Sequence, residues 1–207
     1  MIVRNWKRKL ALSAAAGGLG IATAQADTVV LEGLGGTNAE VPADHGSTAQ
    51  TTVTWNAAAW DQYADWDGRG DVYQLDGSEL WVSFAPTSAN GSVSISSFDL
   101  DEWAGGGDTV IDWKIEGSAN GLIDSGSWDD FSDAKGGNGG RTAISPASGS
   151  GALGETLTLT FTKVSGVGSY VALDNLTFVE SVVPEPTSLA LAGLAGLGAL
   201  AMRRRRS

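Results

Sequence analysis

Acidic side chains are the groups in this 207-residue sequence that are best spaced to do chemistry, and that chemistry is the binding of a hard cation. The segment 61–71 carries four carboxylates around a glycine-rich turn: Asp61, Asp65, Asp67 and Asp71. Calcium takes several oxygen ligands at about 2.3–2.6 Å, which aspartates on a flexible loop can supply. The loop is not an EF-hand, because the bidentate glutamate that closes an EF-hand is missing. It is a candidate calcium site, weighed against the ordinary role of aspartate as a solvated turn residue.

Tryptophans form a second group, since a flat indole beside acidic hydrogen-bond acceptors can stack against a sugar ring. Seven of the eight tryptophans follow residue 27. Trp81 and Trp113 lie in phase with apolar neighbours, and we expect both in the core. Four others lie beside acidic residues in segments that we expect to be loops, and these are the candidate carbohydrate-binding residues: Trp60, Trp66, Trp103 and Trp128. Their alternative role is to cap one end of the domain.

An enzymatic site is the least favoured hypothesis. The sequence has no cysteine, which excludes a disulfide framework and a cysteine nucleophile, and His45 is its single histidine. Ser47 lies close to His45 in the sequence but has no nucleophile elbow around it. Two carboxylates at the right separation could hydrolyse a glycosidic bond, but no spacing singles out such a pair. We therefore expect a protein that is not an enzyme, and a secreted glycosidase is the most remote alternative.

The charge distribution excludes nucleic acid as a partner. Residues 27–183 carry five Lys or Arg and 23 Asp or Glu, a formal charge of −18, and the other eight basic residues lie at the two ends of the chain. Binding to a phosphate backbone depends largely on Lys and Arg. A domain this acidic repels such a backbone.

The N-terminal segment has the three-part order of a secretory signal peptide. Residues 1–9 are basic, residues 10–21 are mainly apolar, and Ala24-Gln25-Ala26 supplies the small side chains of a cleavage site before Asp27. The apolar run is too short to span a bilayer comfortably. The sequence predicts that residues 1–26 are a signal helix that is removed after export.

The C-terminal segment is predicted to be a short transmembrane helix with its end in the cytoplasm. Residues 188–202 are apolar or small throughout, and as a helix they would be about 22 Å long, against about 30 Å of hydrocarbon core. Basic residues stay on the cytoplasmic side, so four terminal arginines set the orientation: Arg203, Arg204, Arg205 and Arg206. The preceding domain would then lie outside the membrane.

Residues 183–207 resemble the PEP-CTERM sorting signal of Gram-negative bacteria, since they combine a Pro184-Glu185-Pro186 motif, an apolar helix and a terminal arginine cluster. The resemblance implies that an exosortase-like membrane protease recognises the motif. It also implies that the chain is anchored in the inner membrane before processing and is then released to the cell surface or the extracellular polysaccharide matrix. An ordinary tail anchor behind a proline-rich linker is the alternative.

The segment 27–182 reads as one all-β domain. Apolar and polar residues alternate with period two, most clearly over residues 156–162, and glycine-rich turns separate about ten such runs. We expect an antiparallel β-sandwich of the jelly-roll type. A helical turn is the expectation for residues 56–64 alone. The predicted core includes Val82, Phe84, Ile95, Leu157, Leu159 and Phe161.

The two ends of this domain resemble galactose-binding-like and carbohydrate-binding-module jelly rolls. The resemblance rests on residues 30–33 and on the last predicted strand, residues 170–178, with its Asp174-Asn175 pair. Such modules often hold a structural calcium ion between an early acidic residue and the late aspartate. By that likeness Glu32 and Asp174 are calcium ligands, and they are favoured over the 61–71 loop.

These observations predict an exported surface or extracellular-matrix protein with a non-catalytic structural or interaction role. A carbohydrate-binding module is the alternative, with extracellular polysaccharide as the partner. The predicted organisation is a signal peptide at 1–26, an acidic β-sandwich at 27–182 and a sorting signal at 183–207.

Overall fold

The structure is a computed structural model, and it describes residues 25–34, 39–56, 59–62, 72–75, 78–102, 109–129, 142–165 and 171–183. All of these belong to one compact unit, Ala24–Glu185. The other unit, Met1–Thr23 with Pro186–Ser207, lies outside the described residues, and so does the predicted transmembrane helix. Of the predicted signal segment 1–26, the structure describes Gln25 and Ala26, which lie in a strand and not in a helix. Within the described ranges no helix is long and apolar enough to cross a membrane.

The described residues form twelve β-strands, and the expectation of an all-β domain is confirmed. The sequence predicts about ten strands, and the described residues contain twelve, including the two-residue strand β2 and the four-residue strand β4. The strands are β1 (Gln25–Leu31), β2 (Ala39–Glu40), β3 (Thr51–Trp55), β4 (Ala59–Gln62), β5 (Val72–Leu75), β6 (Glu79–Pro86), β7 (Gly91–Glu102), β8 (Val110–Gly117), β9 (Gly121–Asp129), β10 (Thr142–Ile144), β11 (Leu157–Ser165) and β12 (Val171–Val182).

The helical turn expected at residues 56–64 is wrong where the structure describes that segment. Residues Ala59–Gln62 form β4, which pairs antiparallel with β5 from Ala59↔Leu75 to Gln62↔Val72. The helix propensity of alanine is a weak preference, and hydrogen bonding to a neighbouring strand overrides it.

Two antiparallel sheets make up the sandwich. The seven-stranded sheet has the order β10-β7-β12-β5-β4-β2, with β1 also paired to β12, and the five-stranded sheet has the order β3-β6-β11-β8-β9. From β5 to β8, and again from β9 to β12, each strand lies in the sheet opposite to the one before it. This alternation between sheets is the topology of a jelly roll, as expected.

The first and last strands lie side by side, which the jelly-roll expectation required. β1 pairs antiparallel with β12 from Gln25↔Val182 to Leu31↔Leu176, and β7 pairs with β12 along its other edge. The sheet extends to the end of the described chain, because the Val183 amide donates to the Asn90 carbonyl at 3.0 Å. The described fold therefore ends one residue before Pro184.

The core lies between the two sheets and follows the period-two prediction. Six predicted core residues are all almost fully buried: Val82, Phe84, Ile95, Leu157, Leu159 and Phe161. Rings from opposite sheets meet here, with Phe84 and Phe178 centroids 4.9 Å apart and an edge-to-face contact of Phe98 with Phe161 at 5.2 Å. Such aromatic pairs add to the free energy gained by burial.

Candidate functional site

The outer face of the five-stranded sheet presents three cross-strand rows of side chains. Alternate residues of a strand point to opposite faces, so residues that pair across β6, β11, β8 and β9 share this face. The central row is Trp81, Thr160, Lys114 and Ser125. On one side of it lie Glu79, Thr162, Asp112 and Ser127, and on the other Ser83, Thr158, Glu116 and Leu122. We call these twelve residues the outer rows.

The outer position of Trp81 corrects the expectation that this residue belongs to the core. Leu80 and Val82 are buried, whereas Trp81 between them is half-buried on the opposite face. Its apolar sequence neighbours both point inward, so period two directs the indole outward. The alternation of Leu80, Val82 and Phe84 contained this signal. The expectation for Trp113 is confirmed, since its side chain is buried against Phe98.

Two open hollows lie along the outer rows and share Lys114. The larger, of about 480 Å³, is lined by Glu79, Trp81, Ser83, Lys114, Glu116, Thr156, Thr158 and Thr160. The smaller, of about 340 Å³, is lined by Asp112, Trp113, Lys114, Leu122, Ser125, Gly126, Ser127 and Thr162. Apart from the two tryptophans, Leu122 and Gly126, the lining residues are charged or carry hydroxyl groups.

Lys114 is the cation of this face and it is already paired. Its Nζ lies 2.8 Å from Glu116 Oε2. The hydrogen bond to Glu116 raises the pKa of Lys114, the charges of Glu116 and Glu79 raise it further, and desolvation opposes them. The ammonium group is therefore charged, and its hydrogen-bonding capacity is partly used within the face.

Thr160 shows how closely the central row is packed. It lies on the outer face, yet its relative exposure is only 6%. Its cross-strand neighbours on either side are the long side chains Trp81 and Lys114. Because all three residues stand on hydrogen-bonded strands and not on loops, the indole is held by a rigid platform.

The outer rows have the chemistry of a carbohydrate-binding surface. An indole offers an apolar face for stacking, carboxylates accept hydrogen bonds from sugar hydroxyls, and Ser and Thr hydroxyls both donate and accept. Open hollows of several hundred cubic ångströms beside these groups leave room for a chain of sugar rings.

Of the four sequence-predicted carbohydrate-binding tryptophans, the structure describes Trp128 and the backbone of Trp60. The loop position expected for Trp128 is wrong: it lies in β9, pairs with Ile111 and is 5% exposed, so its indole has no free face. Acidic sequence neighbours favour a loop at Trp128, but the residue occupies an inward-facing position in a strand. The backbone of Trp60 lies in β4, not in a loop, while Trp66 and Trp103 lie outside the described residues.

The sequence-predicted calcium ligands lie at the β1–β12 junction. Glu32 directly follows β1 and has an exposed side chain, and Asp174 in β12 is 9% exposed. Asp174 pairs with Asp99 of β7, and Asn175 lies in the left-handed region with φ 47°. The Asn175 amide donates to Asp174 Oδ1 at 2.7 Å, and Asn175 Nδ2 donates to Asp99 Oδ2 at 2.8 Å.

The other predicted calcium ligands are placed in part. The backbone of Asp61 lies in β4, and Asp65, Asp67 and Asp71 fall outside the described residues. Within the described part of the chain no three His, Asp or Glu side chains gather as a metal-binding group. Calcium binding stays a prediction.

The His45 side chain is held by hydrogen bonds to Tyr73 and to the backbone of Glu32. Its Nε2 lies 2.7 Å from Tyr73 Oη and 3.3 Å from the Glu32 carbonyl, which also accepts a hydrogen bond from the Tyr73 hydroxyl. Ser47 Oγ donates to the Val53 carbonyl at 3.2 Å. Both side chains therefore make structural contacts that stabilise the loop between β2 and β3.

The fold and the outer rows together define a jelly-roll β-sandwich with one open aromatic and polar face. Its C-terminal segment matches the PEP-CTERM protein-sorting motif over residues 182–206, which indicates an exported chain with a C-terminal sorting signal. The matched segment begins at Val182, the last residue of β12. No curated protein matches the chain.

Several solved structures are similar to the chain at low identity. A carbohydrate-binding module studied for specific mannan recognition has 12% identity and a TM-score of 0.39, covering 74% of this chain and 98% of the module. A cyclase from Fischerella sp. TAU has 12% identity and a TM-score of 0.39, with 77% and 85% coverage.

An arabinose-bound α-L-arabinofuranosidase has 11% identity and a TM-score of 0.37 over 73% of this chain. The chain spans only about a quarter of that enzyme's length, 26%. At these scores no function is carried over from any of the three, and the functional argument rests on the chain's own residues.

Proposed function

We propose that this protein is exported and sorted by an exosortase-like membrane protease to the cell surface or extracellular matrix of a Gram-negative bacterium. The single observation that supports this proposal is the PEP-CTERM match over residues 182–206. The fold adds support, because the described sheet ends at Val183, directly before Pro184. A protease could then remove the tail without unfolding the sandwich.

Replacement of the sorting motif tests this proposal. Changing Pro184, Glu185 and Pro186 together to alanine is expected to retain the protein in the membrane fraction, whereas the parent is found on the surface or in the medium. The matched control is Val183→Ala, which changes an exposed residue directly before the motif. Equal release of the triple variant and the parent would contradict a role for the motif.

We further propose that the sandwich is non-catalytic and that its outer rows bind extracellular polysaccharide. The observation that favours this candidate is Trp81, a tryptophan on the outer face beside Glu79, Ser83 and the Lys114–Glu116 pair. The partner is a carbohydrate, as the sequence predicts, but the proposed binding residue is Trp81 in β6 and not a tryptophan in one of the predicted loops. Trp128 has no part in it because it is buried.

Removal of the indole tests the carbohydrate proposal. Trp81→Ala is expected to weaken binding to a retained polysaccharide by at least about thirtyfold, since a central aromatic anchor contributes about 2 kcal/mol or more. Val30→Ala is the matched control, because it removes an exposed apolar side chain from the other sheet. Affinity electrophoresis measures both. Equal losses in the two variants would contradict a site at Trp81.

Calcium is proposed as a ligand at the β1–β12 junction. The register Leu31↔Leu176 supports this proposal, since Glu32 directly follows Leu31 and Asp174 lies two residues before Leu176. Asp99 in β7 is in register with Asp174, and its Oδ2 accepts a hydrogen bond from Asn175 Nδ2.

A further inference from the structure

We propose that the polysaccharide bound by the outer rows is uncharged, an inference that rests on the proposed carbohydrate-binding function and adds the chemical class of its ligand. The first argument is the charge of the face. The outer rows contain three carboxylates, Glu79, Asp112 and Glu116, against the single ammonium group of Lys114. A polymer that lies along these rows therefore meets a surface of net negative charge.

The second argument is that Lys114 is not a free anion site. Its ammonium group is held by Glu116 at 2.8 Å. A uronate or sulfate group that approached Lys114 would have to displace Glu116 or bind beside it, next to a like charge. Replacing one carboxylate by another at the same ammonium group gives no net electrostatic gain, and any remaining like charge costs free energy.

The third argument is the field of the whole domain. Residues 27–183 carry a formal charge of −18. A domain of one sign repels a polymer of the same sign before contact, and the repulsion is strongest at low ionic strength, where the Debye length is longest. A uronic-acid polymer is disfavoured both at the site and on the approach to it.

An uncharged glycan matches the same groups. Its hydroxyls can donate to the carboxylates of Glu79 and Glu116, and hydrogen bonds to charged acceptors are the stronger ones. Its ring faces can stack on Trp81. The hydroxyls of Ser83 and Thr158, in the same hollow, can donate to or accept from sugar oxygens.

The experiment compares uncharged and uronic-acid polymers on the full chain at low and high ionic strength. The uncharged probes are glucomannan, xyloglucan and dextran, and the charged ones are alginate and polygalacturonate. We expect retention by at least one uncharged probe, a loss of at least about thirtyfold in Trp81→Ala, and little change with salt. We expect no retention by either uronate polymer.

The outcomes separate this inference from the function on which it rests. Binding to alginate or polygalacturonate that depends on Trp81 would overturn the uncharged class and leave the carbohydrate-binding function standing. The absence of Trp81-dependent binding to all five polymers would overturn both. Salt-independent, Trp81-dependent binding to an uncharged polymer alone supports both.

A charge variant tests the physical cause. Glu79→Gln with Glu116→Gln keeps the shape of the face, frees Lys114 and removes two negative charges. We expect this double variant to show alginate retention that the parent lacks at about 0.15 M salt, where a Debye length of about 8 Å screens the field of the domain more than the contact at Lys114, and to lose it at about 1 M salt. The matched control is Glu40→Gln with Asp44→Gln, which makes the same charge change at exposed positions outside the outer rows. An equal gain in the control, or no gain in the test variant, would overturn the argument from Lys114.

Discussion

The two sheets of the sandwich differ in what their outer faces expose. On the five-stranded sheet the outward residues form an open surface with two hollows around Lys114. On the seven-stranded sheet Val72 and Ala172 alternate with the core residues Tyr73 and Leu173, so they point outward, yet both are almost fully buried. One sheet is therefore covered on both faces around β5 and β12, and the other is open on one. A ligand-binding surface is expected on the open face.

The largest expected difference is in the free energy of unfolding lost when an aromatic residue is replaced. Replacing an inward-facing residue should cost much more than replacing an outward-facing one on the neighbouring strand. Phe161 in β11 is 2% exposed and packs edge-to-face on Phe98, whereas Trp81 in β6 lies on the outer face. Phe161→Ala should lower the free energy of unfolding by about 3–5 kcal/mol through the cavity that it leaves. Trp81→Ala should cost less than about 1 kcal/mol. Urea unfolding measures both, and similar losses would contradict the outward position of Trp81.

Calcium is expected to stabilise the fold through the seven-stranded sheet and not through the five-stranded sheet, because its proposed site lies in the seven-stranded sheet alone. At a calcium concentration 100 times the dissociation constant, binding would stabilise the fold by about 2.7 kcal/mol. Thermal melting with calcium and with chelator measures this increment. We expect Asp174→Ala to abolish it and Asp112→Ala, on the outer rows of the other sheet, to preserve it. If calcium does not change the melting temperature of the parent, the proposed calcium site is contradicted.

Each sheet also has a buried carboxylate near it, and the two are held differently. Glu155, before β11, is 3% exposed, and its oxygens accept from the backbone amides of Ala152, Asn120 and Ala119 and from Asn120 Nδ2. Asp174, in β12, accepts a hydrogen bond from the amide of its sequence neighbour Asn175. Glu155 therefore joins the turn between β8 and β9 to the segment before β11, and this contact fixes one end of the five-stranded sheet.

The Glu155 contact predicts a specific loss of stability in acid. The hydrogen bonds from Ala152 and Asn120, with those from Ala119 and the Asn120 side chain, lower the pKa of Glu155 from 4.5 to about 2, against the effect of desolvation. A lowered pKa in the folded state stabilises the fold fully above pH 4.5, and the contribution is lost as the pH falls toward 2. The difference in melting temperature between the parent and Glu155→Gln should shrink over that interval. A difference that is constant with pH would contradict the contact.

The sequence predicts which side chains are buried where a strand has one apolar and one polar face. It does not predict burial where the position of a side chain depends on the partner strand. Leu157, Leu159 and Phe161 alternate with threonines, so period two alone placed them in the core. For Trp128 the acidic neighbours suggested a loop, but pairing with Ile111 turns the indole inward. For Trp81 the apolar sequence neighbours Leu80 and Val82 predict a core position, but they lie on the opposite face of β6 and are not its packing neighbours. Glu155 had no recognisable signal, since its partners Asn120 and Ala119 lie more than thirty residues away.

Mass spectrometry of the protein recovered from the cell surface or medium tests the proposed sorting directly. We expect a mature chain that begins at Asp27 and ends near Pro184, just beyond the last described residue of the sheet. Such a chain would have lost both the signal peptide and the apolar tail. An extracellular protein that still carries Arg203 to Arg206 would contradict sorting by cleavage at the C-terminal motif.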